Sequence, residues 1–213
     1  MQSSTGPRAY LICMRHGVAS VAPDGDALGK FSKTHGGLDL VCAAPVVTVF
    51  GPHTTALLTL IEFPSLDPAR EMLRSTGNAS PDSPPVSALP ETSWAVLGVD
   101  PPAEHWPDFG GPRGYAVARY QIQDWERFQR FVGLIAQAVQ AYGGRFLVRI
   151  QKPEPVLGPA DDWLLTIIEF PSVTSMRVGL QSPDFHDMVA LGLGYRTIQI
   201  WGAAGVSPGD LES

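Results

Sequence analysis

The stretch LLTLIEFPSLD, Leu57 to Asp67, returns almost unchanged as LLTIIEFPSVT, Leu164 to Thr174. One phrase written twice in 213 residues bears on architecture before it bears on chemistry. The repeat extends outward at one constant offset: Gly36-Gly37 pairs with Gly143-Gly144, Gly51-Pro52 with Gly158-Pro159, Glu62 with Glu169 and Ser75 with Ser182. Upstream, Arg8-Ala9-Tyr10 resembles Arg113-Gly114-Tyr115 with a small shift. A long repeat present only twice argues for duplicated domains, because a solenoid needs at least about three units.

The second copy is the better preserved and gives the clearer pattern. Tyr115 to Tyr120 is a short β-prone run. Trp125, Phe128, Val132, Ile135, Val139 and Tyr142 follow at spacings of three and four, with Asp124 placed as N-cap and Gly143 as the stop, which predicts an amphipathic helix. Arg145 to Ile150 and Trp163 to Phe170 read as two strands joined by a Pro- and Gly-containing connection. Pro171-Ser172 opens a second helix expected to run to about Gly192, and Arg196 to Trp201 makes a fourth strand. The order is β-α-β-β-α-β, a ferredoxin-like unit. Leu164, Leu165, Ile167 and Ile168 are apolar on both faces of their strand, so the face away from the helices should also be covered, naturally by the other copy's sheet.

The Tyr142-Gly143-Gly144-Arg145-Phe146 turn, Arg149, Glu169-Phe170-Pro171-Ser172 and Gln181-Ser182-Pro183-Asp184-Phe185 together resemble a widespread family of small bacterial proteins. The resemblance covers most of residues 113 to 204. It implies ferredoxin-like units paired sheet to sheet as a dimeric α+β barrel, in a superfamily that includes cofactor-free monooxygenases, polyketide cyclases and muconolactone isomerases. The expected fold class is therefore α+β, with two tandem ferredoxin-like units forming an intramolecular barrel in a monomeric chain. The expected division is 1–100 for a degenerate first repeat, 101–112 for a Pro- and Gly-rich linker, 113–205 for the second repeat and 206–213 for a tail.

The first copy departs from its twin. Val18 and Val21 stand for Trp125 and Phe128, Pro23-Asp24-Gly25 interrupts the first helix, and Cys42 replaces Arg149. Its second helix should end after Ser75, where residues 77–85 have loop composition.

A formal net charge of −6 with scattered basic residues offers no stripe for phosphate backbones or anionic membranes, so neither nucleic acid nor membrane is an expected partner. No window approaches the roughly 18 apolar residues of a spanning helix. MQSSTGPRAY lacks a charged region followed by an apolar run, and Cys13 and Cys42 suit a reducing compartment, so a cytoplasmic location is expected. The five histidines show no ligand spacing, and neither metal nor cofactor is expected.

Met14-Arg15-His16-Gly17 after a first strand resembles the phosphohistidine motif of histidine phosphatases, but the repeat places it in a ferredoxin-like unit, the wrong context for that chemistry. The expected reaction is cofactor-independent. A base would abstract a proton next to a carbonyl of a small apolar metabolite, aromatic or polyketide-like, leading to cyclisation, isomerisation or oxygenation in secondary metabolism. His186 or Glu169 is the candidate base, with Arg149, Arg119 and Tyr120 stabilising the oxyanion. Phe146, Trp163, Trp201, Trp94 and His35 are candidates for walling the pocket. For Glu62 and Glu169 the duplication favours a structural partnership with a nearby arginine such as Arg149 or Arg119. A non-catalytic small-molecule binder is the alternative function, and a scaffold subunit a third.

Overall fold

The computed structural model describes residues 7–16, 31–52, 56–76, 92–99, 111–157, 162–190 and 194–207. In chain order the elements are β1 (Ala9–His16), β2 (Leu38–Pro45), β3 (Val47–Phe50), β4 (Ala56–Phe63), α1 (Leu66–Thr76), β5 (Thr92–Leu97), β6 (Gly114–Ile122), α2 (Trp125–Ala141), β7 (Arg145–Gln151), β8 (Glu154–Leu157), β9 (Leu164–Phe170), α3 (Val173–Leu180), α4 (Pro183–Ala190) and β10 (Tyr195–Ala204). The strands form two antiparallel five-stranded sheets, in the orders β2-β4-β1-β5-β8 and β3-β10-β6-β9-β7. The chain has the expected α+β class. Removing the edge strands β8 and β3 leaves the ferredoxin-like order in each sheet, with the first strand between the third and fourth.

The two compact units are not contiguous along the chain. One comprises residues 1–46, 54–102 and 153–161, the other 47–53, 103–152 and 162–213. Each sheet thus takes an edge strand from the other half of the sequence: β3 pairs with β10, and β8 with β5. The sequence reading placed β8 in a connection because Pro153 and Pro155 look like loop residues. An edge strand tolerates proline, since one side of it needs no N–H donors.

In the second unit α2 starts where expected, with the Asp124 carboxylate accepting from the Arg127 backbone N–H at 3.0 Å. Its buried stripe is Phe128, Phe131, Ile135 and Val139, whereas Trp125 remains 53% exposed. The single second helix expected from Pro171 to Gly192 is instead two, α3 and α4. Pro183 cannot donate a backbone hydrogen bond into the preceding turn. Ser182 serves the break, its hydroxyl donating to the Gly179 carbonyl at 2.9 Å and accepting from the Phe185 N–H at 3.3 Å.

The helix-facing side of the second sheet presents Ala116, Ala118, Tyr120, Ile168, Phe170, Ile198 and Ile200 to Phe128, Phe131, Met176, Leu180 and Phe185. The opposite side is also withdrawn from solvent, with Tyr115, Val117, Leu165, Ile167 and Trp201 all buried. In the first unit the core among the described residues brings Ala9, Leu11, Cys13, Ile61, Phe63 and Ala95 to Phe31, Ala69 and Met72. Its α1 ends at Thr76, close to the expected Ser75. The interruption expected at Pro23-Asp24-Gly25, the loop at 77–85 and most of the 101–112 linker lie outside the described residues. Among those described, no helix is long and apolar enough to cross a membrane.

The repeated Gly-Gly has a geometric cause. Gly36 and Gly143 take φ of +75° and +72°, a left-handed conformation that favours glycine. A Cβ on Gly37 would lie 2.9 Å from the Phe63 ring, and one on Gly144 2.8 Å from the Phe170 ring and from Val139. The second glycine therefore makes room for the phenylalanine of the repeated phrase. Gly144→Ala should destabilise the protein by about 1–3 kcal/mol through overpacking. Gly133→Ala, on the exposed side of α2 where a Cβ meets nothing within 4 Å, should stabilise it by roughly 0.5–1 kcal/mol. Urea unfolding of the two variants separates the effects, and equal behaviour would contradict the packing argument.

Candidate functional site

Glu169 lies on β9, directly across from Tyr115 on one side and Arg145 on the other. Its carboxylate is 3% exposed. It accepts from Arg113 Nη1 at 2.8 Å, Tyr115 Oη at 2.9 Å and Arg145 Nε at 2.7 Å. Burial alone would raise its pKa; the hydrogen bond from Arg113, the charge and hydrogen bond of Arg145 and the Tyr115 hydroxyl outweigh it, so the net shift is downward. Burial, then the neighbouring Glu169 charge, push the Tyr115 hydroxyl up, keeping it a donor. A general base working near neutral pH needs the opposite shift. Glu169 is therefore a clamp between strands, and its partners are Arg113 and Arg145, not the Arg149 or Arg119 suggested by the sequence. The first unit repeats the arrangement with Glu62, Arg8 and Tyr10, Tyr10 Oη lying 3.0 Å from Glu62. There Leu38 is opposite the glutamate where Arg145 stands in the second unit.

The remaining candidates fall on separate surfaces. Tyr120 is on the helix-facing side of β6, 1% exposed, with its ring 5.3 Å from Phe128 and 6.2 Å from Phe131. Burial pushes its hydroxyl well above the usual phenol range, although a hydrogen bond to Thr166 opposes this. The Thr166 hydroxyl oxygen also accepts from the Ile150 N–H at 3.3 Å. Ile150 has φ of +49°, an outlier for a β-branched residue, at a bulge in β7. Arg149 beside it is exposed and lies 5.5 Å from the Phe146 ring centroid. His186 is exposed on α4, its ring 4.9 Å from Phe50 of β3. Trp201 faces away from the helices, opposite Val117. Trp94 and His35 belong to the first unit. His35 packs on Phe31 with ring centroids 4.8 Å apart, just before Gly36-Gly37.

Two of the candidates do come together. The Arg119 guanidinium carbon lies 4.5 Å from the Trp163 ring centroid, a cation–π distance. Two residues beyond Arg119 on the same strand, and one before Trp163, the chain contributes Gln121 and Asp162 to a groove of about 470 Å3. Ile122, Gln123 and Arg196 complete its lining. This volume lies within the range of small-molecule sites. Sequence reasoning missed these groove residues because they are polar positions at strand ends with no repeated counterpart. Arg113 carried a signal, the recurrence of an arginine two residues before tyrosine.

Residues 113–204 match the family described as "Domain of unknown function (DUF1330)". No curated protein matches the chain. A solved protein from Fusobacterium nucleatum, assigned as a monooxygenase, is similar over 95% of this chain and 94% of its own, with 10% identity and a TM-score of 0.56. That likeness shows the fold alone. Similarity also extends to an anthrone oxidase-like protein, at 10% identity, 96% and 94% coverage and a TM-score of 0.47. A heme-binding protein from Thermus thermophilus matches at 15% identity, 93% and 91% coverage and a TM-score of 0.47.

The carboxylate clamp has a pH signature. Because the folded pKa of Glu169 lies below its unfolded value, its contribution is fully present above the unfolded value and is lost as pH falls through the folded one. Glu169→Gln should lower stability at neutral pH by roughly 3 kcal/mol, since two guanidinium groups lose a buried partner. The difference from wild type should shrink as the pH is lowered into the acid range. Urea unfolding of both proteins across pH checks this; a difference independent of pH would remove Glu169 from the clamp.

Proposed function

We propose that the protein binds a small organic molecule in its second unit, at the groove bounded by Gln121, Gln123, Asp162 and Arg196 and flanked by the Arg119–Trp163 stack. The observation that carries this reading is the convergence of an acid, a guanidinium and two carboxamides on one ligand-sized groove next to a stacked tryptophan. Arg196 and Asp162 give the site a charged group of each sign, and Trp163 supplies a flat apolar surface beside them. The binder is favoured over the enzyme because Glu169 is held ionised by three donors and Tyr120 is sealed in an aromatic core.

A second reading keeps cofactor-independent proton abstraction, leading to cyclisation, isomerisation or oxygenation of a small metabolite. It is favoured by one feature: among the described residues the His186 side chain makes only ring contacts, with Phe50 and Phe185, which leaves its nitrogens accessible for a proton. We also infer that the two units are diverged copies of one ancestral unit. The shared inner strand order, the Arg-Tyr-Glu cluster in each unit and the matching glycine pairs support this. The protein is then expected to be monomeric, with its pseudo-dimer within one chain.

Native mass spectrometry before and after denaturation should release a bound small molecule. Titration of that molecule, followed by tryptophan fluorescence, should give affinities at least about tenfold weaker in Trp163→Ala and Arg196→Ala, the loss of one good contact. Unchanged affinity in both variants would place the ligand elsewhere. If turnover is found and His186→Ala reduces it by roughly 10²–10⁴-fold at unchanged affinity, the enzyme reading replaces the binder.

A further inference from the structure

Arg15 stands where the second unit has Tyr120. The sheet register makes the equivalence direct: Arg15 lies opposite Leu57 and Cys13 opposite Thr59 in β1 and β4, as Tyr120 lies opposite Leu164 and Ala118 opposite Thr166 in β6 and β9. In the second unit this position is filled by an aromatic ring whose hydroxyl meets Thr166. In the first it carries a guanidinium, on the same side of the sheet as the core residues Leu11 and Cys13. The Arg15 Nη1 atom is buried and has no hydrogen-bond partner among the described residues.

A buried, unpaired cationic donor is expensive, and native proteins rarely leave one. Four of the described carboxylates of the unit are engaged elsewhere, and the fifth, Glu71, is exposed on α1. Glu62 is held by Arg8 and Tyr10, Asp39 by Ser32, and Asp67 and Glu154 by Arg70. Cys13, two residues away on the same face, is no counter-charge either: burial pushes its thiol up to about 12, and Ser93 donates to it at 3.5 Å. Among the described residues the other buried polar atom without a partner, the Thr92 hydroxyl, is opposite Met14 and so on the other face of the sheet. It is neutral, and leaving it unpaired costs less than leaving a charged group unpaired.

We propose that the first unit holds a second binding site, in which Arg15 receives the carboxylate of a small, otherwise apolar molecule on the helix-facing side of β1. A guanidinium matches a carboxylate in shape and charge, and one negative charge neutralises it. The doubly charged form of phosphate would leave a charge uncompensated next to the apolar core of this unit. The site is separate from the groove of the second unit and does not depend on that assignment.

Benzoate, a flat monocarboxylate, is the probe, titrated into the full-length protein at constant ionic strength with sodium chloride as reference. Backbone amide resonances of Cys13, His16 and Leu57 should shift with saturation, and the affinity should fall at least tenfold in Arg15→Met. Ligand-free Arg15→Met should melt no lower than wild type, because a well-packed apolar side chain in place of a half-buried guanidinium with a buried unpaired nitrogen is neutral or stabilising. No benzoate effect in wild type, an equal effect in Arg15→Met, or saturation by inorganic phosphate in preference to benzoate would each overturn the proposal. A marked loss of stability in ligand-free Arg15→Met would overturn it too, since the guanidinium would then have a partner within the chain.

Discussion

A single buried carboxylate organises each unit. Glu169 sits near the end of an inner strand, and its charge is tolerable there only because Tyr115 of β6, Arg113 just before it and Arg145 of β7 reach it together. Three strands are thereby held at one register. A slip of one residue would turn the glutamate to the other face and strand it without donors. The phenylalanine that follows points the opposite way and needs the space left by Gly144, so Glu-Phe and Gly-Gly are coupled parts of one arrangement. The first unit has both parts, Glu62 with Tyr10 and Phe63 against Gly37, although much of its remaining sequence differs. This is the physical reason the phrase occurs twice.

What surrounds that shared frame differs between the units. Tyr120, Phe128, Phe131 and Tyr195 form a chain of edge-on and tilted ring contacts in the second unit. At the position equivalent to Tyr120 the first unit has a charged side chain, Arg15. Strain also distributes unevenly. Ile150 occupies a left-handed conformation beside Thr166, and a conformation of this kind persists only when neighbouring contacts over-determine it.

Periodicity was sufficient to find the second unit's strands, the α2 helix with its Asp124 cap and the ferredoxin-like order. It failed at positions decided by tertiary contacts. The break between α3 and α4 depends on Ser182 bridging two turns, and one proline in a long apolar pattern did not outweigh that pattern. Strands β3 and β8 are four residues each, too short to show alternation, and their partners are far away in sequence. Among the candidate site residues, Glu169 was correctly suspected of a structural partnership, yet its partners were misidentified because strand pairing, not sequence proximity, brings Arg113 and Arg145 to it. Arg119 and Trp163 were both singled out; their stacking follows from the pairing of β6 with β9. The groove next to them is made by side chains whose types carry no signal until the fold assembles them.

The exchanged edge strands also set an order of events during synthesis. The first sheet's other four strands have all been made by Leu97, but β8, which covers the free edge of β5, begins only at Glu154. At about 5–20 residues per second the ribosome takes several seconds to supply it. Throughout that interval the Thr92–Leu97 strand, with its apolar Trp94, Ala95 and Val96, presents unpaired backbone donors and acceptors to any β-prone segment nearby. The nascent chain therefore passes through a stage in which one strand edge awaits a segment not yet translated.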